Sequence, residues 1–130
     1  MSFIRLALLI IIGVGLSACG EGSTAMGAAD QLISSQLRSP SSYSVVSQKI
    51  VWTGNYKGRN SYVVRTEYDA QNGFGASIRD CKYVAFSLEG TQIKGKRNTM
   101  MLDCGSEPTM RQLGYTEESA IQMIVSQNFD

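Results

Sequence analysis

The chain has 130 residues, with 12 Lys+Arg against 11 Asp+Glu, no histidine and three cysteines. That length suits one domain with a real core. A formal net charge of +1 without a clustered basic excess argues against nucleic acid as a partner, and the lack of histidine removes the commonest general base and zinc ligand.

Residues 1–18 read as a segment apart from the domain. Arg5 and the amino terminus give a short positive start, and Leu6 to Leu16 is an uncharged apolar run of eleven residues. A membrane-crossing helix needs about 20 residues. A secretory signal needs an apolar run of about 7–15 followed by small residues, which Ser17 and Ala18 supply. The alternative is an uncleaved N-terminal anchor. The shortness of the run and its Gly13 and Gly15 argue against it.

Leu16-Ser17-Ala18-Cys19 resembles the lipobox of bacterial lipoproteins at all four positions. The resemblance implies a diacylglycerol on the Cys19 sulfur, cleavage between Ala18 and Cys19, and acylation of the new amino group. Two or more acyl chains hold a protein at a membrane stably, so the chain is expected to be anchored rather than to span. Gly20 stands where the inner-membrane retention signal has Asp. That departure implies the outer membrane, facing the periplasm, with the membrane as a partner through the lipid on Cys19.

Loss of residues 1–18 removes one basic residue, Arg5, and leaves 112 residues that are formally neutral. Cys19 and residues 20–24 then read as the lipid attachment point and a short flexible tether, and 25–130 as one domain. With Cys19 assigned to lipid, the oxidising compartment favours Cys81–Cys104 as a disulfide. It would close a loop of about 24 residues and contribute about 3 kcal/mol. Two free buried thiols are the alternative.

Along the domain, Ala25, Ala28, Ala29, Leu32, Ile33 and Leu37 recur at helical spacing and predict a helix over 25–38. Ser23 or Thr24 can cap its start, and Pro40 ends it. Strands are predicted over 43–52, 61–70, 80–89 and 91–102, with turn residues at 54–58 and a loop at 71–77. The 61–70 strand alternates, so its second face is expected in water. The 80–89 strand is apolar on both faces and is expected to be central. Gly95 suggests a bulge in the last strand. Pro108 and Gly114 bracket a short helix over 106–114. Thr116 caps a final helix over 116–127, whose Glu117 and Glu118 suit a helix N-terminus. The order predicts an α+β fold, with a three- to four-stranded antiparallel sheet and helices on one face.

Two stretches, "LRSPSS" at 37–42 and "AQNGFGA" at 70–76, are similar to a pattern in small exported bacterial proteins of unknown function. The resemblance implies a fold module and no particular activity. In the loop, Asn72-Gly73 favours a turn with positive φ. Phe74 either folds back onto the core or stands out as an anchor for a partner.

No nucleophile motif, phosphate loop or metal-ligand set occurs, so no catalytic residue, cofactor or metal is expected. Glu67 and Asp69 read as a solvated charged face. The leading expectation is a non-catalytic envelope lipoprotein that binds or braces another envelope protein. Its candidate contact residues are Arg65, Asn72 and Phe74, with the basic positions near Arg65. The alternative is a small-ligand carrier or enzyme on the same frame. A deep pocket lined by Glu67 or Asp69 would favour that alternative.

Overall fold

A computed structural model of the protein describes residues 20–94, 101–104, 112–114 and 116–129. The signal segment, Cys19, the Gly95 position and most of the short helix expected over 106–114 lie outside the described residues. Gly114 does have the left-handed φ of 75° that suits a helix stop.

Helix α1 spans Gly20–Ser34. It starts earlier than its apolar spacing suggested, so residues 20–24 are helical where a flexible tether was expected. Ser23 and Thr24 therefore lie inside the helix and do not cap it. A 3-10 turn at Pro40–Ser42 follows. Three strands of equal length come next: β1 (Ser44–Tyr56), β2 (Arg59–Gln71) and β3 (Ser77–Glu89). Lys57 and Gly58 link β1 to β2 with φ of 52° and 76°. This two-residue turn with both φ positive matches the strand twist.

The expected fourth strand is two short strands, β4 (Gln92–Lys94) and β5 (Met101–Asp103). Both pair antiparallel with β3, β4 at Ser87–Glu89 and β5 at Lys82–Val84. The sheet order is β1-β2-β3 with β4 and β5 sharing the far edge of β3. β3 is central, as its apolar pattern predicted. Helix α2 spans Glu117–Phe129. Thr116 caps it: its Oγ1 accepts from the Ser119 N–H at 3.2 Å, while the Thr116 N–H donates to Ser119 Oγ at 2.9 Å.

The α+β class holds, but the helices lie on opposite faces of the sheet. α1 sets Ala25, Ala28, Ala29 and Ile33 on Tyr62, Val64, Tyr68, Val84 and Phe86. α2 sets Ile124, with Ile121 and Val125, on Val63, Tyr83 and Ala85. The second face of β2, expected in water, is therefore covered where it carries Val63, which is fully buried. Period-2 strands in the middle of a two-helix sandwich must present apolar groups to both sides. Val63/Val64 and Val84/Ala85 do so.

Trp52 shows how tightly the second layer closes. Its ring stacks on Phe129, with centroids 5.1 Å apart. It also lies so close over Gly54 that a Cβ there would sit 2.4 Å from the indole. Glycine is the residue that leaves room for this ring along the strand.

If α2 is docked as described, Ile124→Ala removes a fully buried side chain and lowers stability by about 2–5 kcal/mol. Met123→Ala, at an exposed position outside the α2 core cluster, changes it by less than about 0.5 kcal/mol. Urea unfolding of the two variants measures both; equal effects would contradict the docking.

Candidate functional site

The β2–β3 hairpin closes through residues 72–76. The Asn72 side chain builds this turn: its Oδ1 accepts from the Phe74 N–H at 2.9 Å and the Ala76 N–H at 3.0 Å. The Asn72 N–H donates to the Ala76 carbonyl at 2.9 Å. The positive φ falls on Gly75, at 78°, and not on Asn72 or Gly73. Gly73 serves another purpose, because Arg38 packs against it: a Cβ on Gly73 would lie 3.0 Å from the guanidinium. Ser42 adds a brace, its Oγ accepting from the Gln71 N–H at 2.9 Å. The two stretches singled out in the sequence, 37–42 and 70–76, thus pack together and fix the tip.

Phe74 stands at that tip with 98% of its surface exposed. The expectation that it folds back onto the core fails, because the turn aims it outward. Ile78, Val45 and Val46 are other large apolar side chains left partly exposed near this end of the sheet.

Arg65 does not join Asn72 and Phe74. It sits mid-strand, paired across the sheet with Lys49 on β1 and Tyr83 on β3. At the strand rise it is about 20 Å from the tip along β2. Its neighbourhood is instead the start of α2, where the Tyr83 hydroxyl donates to Glu117 at 3.3 Å. Burial, then the charge of Glu117, raise the Tyr83 pKa, and Arg65 opposes them. Beside this cluster runs an open groove of about 570 Å³ between β1 and α2. Its β1 wall is Lys49–Trp52, and its α2 wall includes Glu117, Glu118 and Ile121. Sequence reasoning missed this groove, since its walls lie more than sixty residues apart in the chain.

Glu67 and Asp69 do not line the groove. Glu67 accepts from the Ser47 hydroxyl at 3.3 Å, and Asp69 holds Arg79 through two bonds of 2.9 and 3.1 Å. That pairing lowers the Asp69 pKa. Both carboxylates are thus engaged in cross-strand contacts rather than poised as an acid–base pair.

Cys81 and Cys104 are bonded, with Cα atoms 5.3 Å apart. The Cys104 N–H also donates to the Cys81 carbonyl at 3.1 Å, so the bridge fastens the end of β5 to β3. Lys82 sits beside it, paired with Asp103 and 3.7 Å from Asp80. Burial opposes its charge, but the two carboxylates outweigh it and raise its pKa.

A polar node locks α1 to the sheet above the tip. Asp30 accepts from the Tyr43 hydroxyl at 2.6 Å and from the Gln48 amide at 2.9 Å. Gln48 also reaches Thr66 Oγ1 at 3.1 Å, and Thr66 is fully buried. Tyr43 packs on Tyr68, with centroids 5.2 Å apart. Burial, followed by Asp30, raises the Tyr43 pKa. Burial, followed by the charge of Asp80, pushes Tyr68 up to about 12.

Among the described residues no group of three or more acids and cysteines lies close enough to hold a metal ion, and no helix is long and apolar enough to cross a membrane. No family model, curated protein or solved structure matches the chain.

The tyrosine values set an alkaline limit. Both folded-state values lie above the ordinary phenol value of about 10. Their contribution to stability is therefore complete below about pH 10 and is lost as pH rises through the folded values. Stability from denaturant unfolding should fall between about pH 10 and about 12, and Tyr68→Phe should flatten that fall. An unaltered slope in the variant would contradict the assignment.

Proposed function

We propose that this protein is a lipid-anchored, non-catalytic binding module of the bacterial envelope, and that it holds a protein partner through the Phe74 hairpin tip. The observation that carries the reading is Phe74 itself. A phenylalanine 98% exposed on a turn fixed by Asn72, Arg38 and Ser42 gains nothing for folding. A rigid, solvent-facing aromatic loses little entropy on binding and suits a partner's apolar pocket.

The lipobox resemblance at 16–19 supplies the anchor. Cys19 directly precedes Gly20, the first residue of α1. α1 then runs from Gly22, beside Ile50, past Gln48, and the chain reaches Arg38 at the hairpin tip. Its fifteen residues cover about 22 Å. Lipid and tip therefore belong at opposite ends of α1, with Phe74 held away from the membrane. The open groove, and the engagement of Glu67 and Asp69 elsewhere, favour this module over a carrier or an enzyme.

Crosslinking in cells tests the reading. Phe74→Ala should reduce partner crosslinks at least about ten-fold, the scale of an aromatic anchor, with protein level and acylation unchanged. Cys19→Ala should abolish acyl labelling and release the protein from the membrane fraction. Undiminished crosslinks in the first variant would remove the tip from the interface, and retained labelling in the second would remove the anchor.

A further inference from the structure

The groove between β1 and α2 has the form of a peptide site. Its strand wall is four consecutive residues, Lys49–Trp52. Successive side chains of a regular strand point to opposite faces, so a run of four brings in the strand's own edge. That edge is open: among the described residues no strand pairs with β1 on the side away from β2. The register shift between Ile50 and Trp52 marks a bulge at Val51, which turns Val51 and Trp52 toward the same α2-covered layer. A strand edge beside a helix is the geometry in which an extended segment adds as a further strand and sends alternate side chains toward the helix.

The walls describe the occupant. Val51, Trp52 and Ile121 provide an apolar floor, and Glu117 and Glu118 face it from the first turn of α2. Glu117 is held by Tyr83. Glu118 is exposed and makes no ion pair among the described residues. Lys49 stands on the strand wall, so the helix wall is the acidic one.

We propose that this groove receives an extended segment of a partner protein, added along the open edge of β1, with an apolar side chain over Val51, Trp52 and Ile121 and a basic side chain against Glu117 and Glu118. The surface is separate from the hairpin tip and does not depend on the lipid, so it stands or falls apart from the function proposed above.

Trp52 is the single tryptophan of the chain and lines the groove. Its emission therefore reports occupancy directly. The probes are two end-blocked hexapeptides, Thr-Val-Thr-Lys-Thr-Val, whose Val and Lys side chains share one face, and its counterpart with Glu in place of Lys, titrated into the full-length protein in detergent micelles. The lysine peptide should give a saturable change in Trp52 emission. The glutamate peptide should bind at least about ten-fold more weakly, the scale set by like-charge contact. Glu118→Lys, at an exposed position, should invert that order, whereas Phe74→Ala should leave it unchanged. Failure of both peptides to saturate, or an order unaffected by Glu118→Lys, would overturn the proposal.

Discussion

The middle two strands bury both of their faces, and the rest of the molecule is arranged to meet that demand. Val63 and Val64 are adjacent in β2 and both are fully buried, as are Val84 and nearly Ala85 in β3. Adjacent strand residues point to opposite sides, so a single layer of helix could shield only half of them. α1 takes one side with small residues, Ala25, Ala28 and Ala29, which let the helix approach closely. α2 takes the other with Ile124 at its centre. Burial of an aliphatic side chain contributes about 1.5–3 kcal/mol. Leaving either face bare would forfeit several such terms at once.

That division decides which surfaces remain available. Covering both faces uses α1 and α2 and leaves the β1 edge and the hairpin turns exposed, the Phe74 tip among them. β1 bears two bulges, at Val46 and Val51, and carries Lys49 between them. Bulges and lysines blunt an edge against indiscriminate pairing. The same irregularity at Val51 shapes the groove under α2. At the other extreme, the Asn72 turn is rigid without being buried. Its hydrogen bonds are local, and its outside supports come from Arg38 and Ser42. As proposed, the outward aromatic on its rigid turn and the shaped edge receive macromolecules rather than enclosing small molecules.

Local signals were legible in the sequence. The alternation of 61–70, the two-sided apolar run at 83–86 and the Thr116 cap each rest on a neighbour relationship of a few residues, whereas Pro40 is not the helix stop: α1 ends at Ser34, short of the predicted 38, and Pro40 opens the 3-10 turn. The cysteine pair was legible from the count once Cys19 was given to lipid. The side on which each helix packs was not. Val63 is one apolar residue in a row with Arg65, Glu67 and Asp69, so the row read as polar, although Val63 lies under α2 and Arg65 beside its first turn. The start of α1 was hidden because Gly20 to Thr24 have no apolar stripe, and helix continues through them. Phe74 between two glycines suits a buried or an exposed ring equally well. Only the donor groups around Asn72 decide between them. Arg65 looked like a companion of the loop because it shares a strand with it, yet strand length separates them.

Native-state hydrogen exchange tests the central claim, that the core is two-sided and the β1 edge open. Amides of β2 and β3 should be the slowest in the molecule, exchanging only with global unfolding. Alternate amides of β1 between Ser47 and Trp52, those facing away from β2, should exchange orders of magnitude faster than their neighbours. Uniform protection along β1 would show that its edge is already occupied, and fast exchange at Val63 or Ala85 would show that α2 does not cover its face.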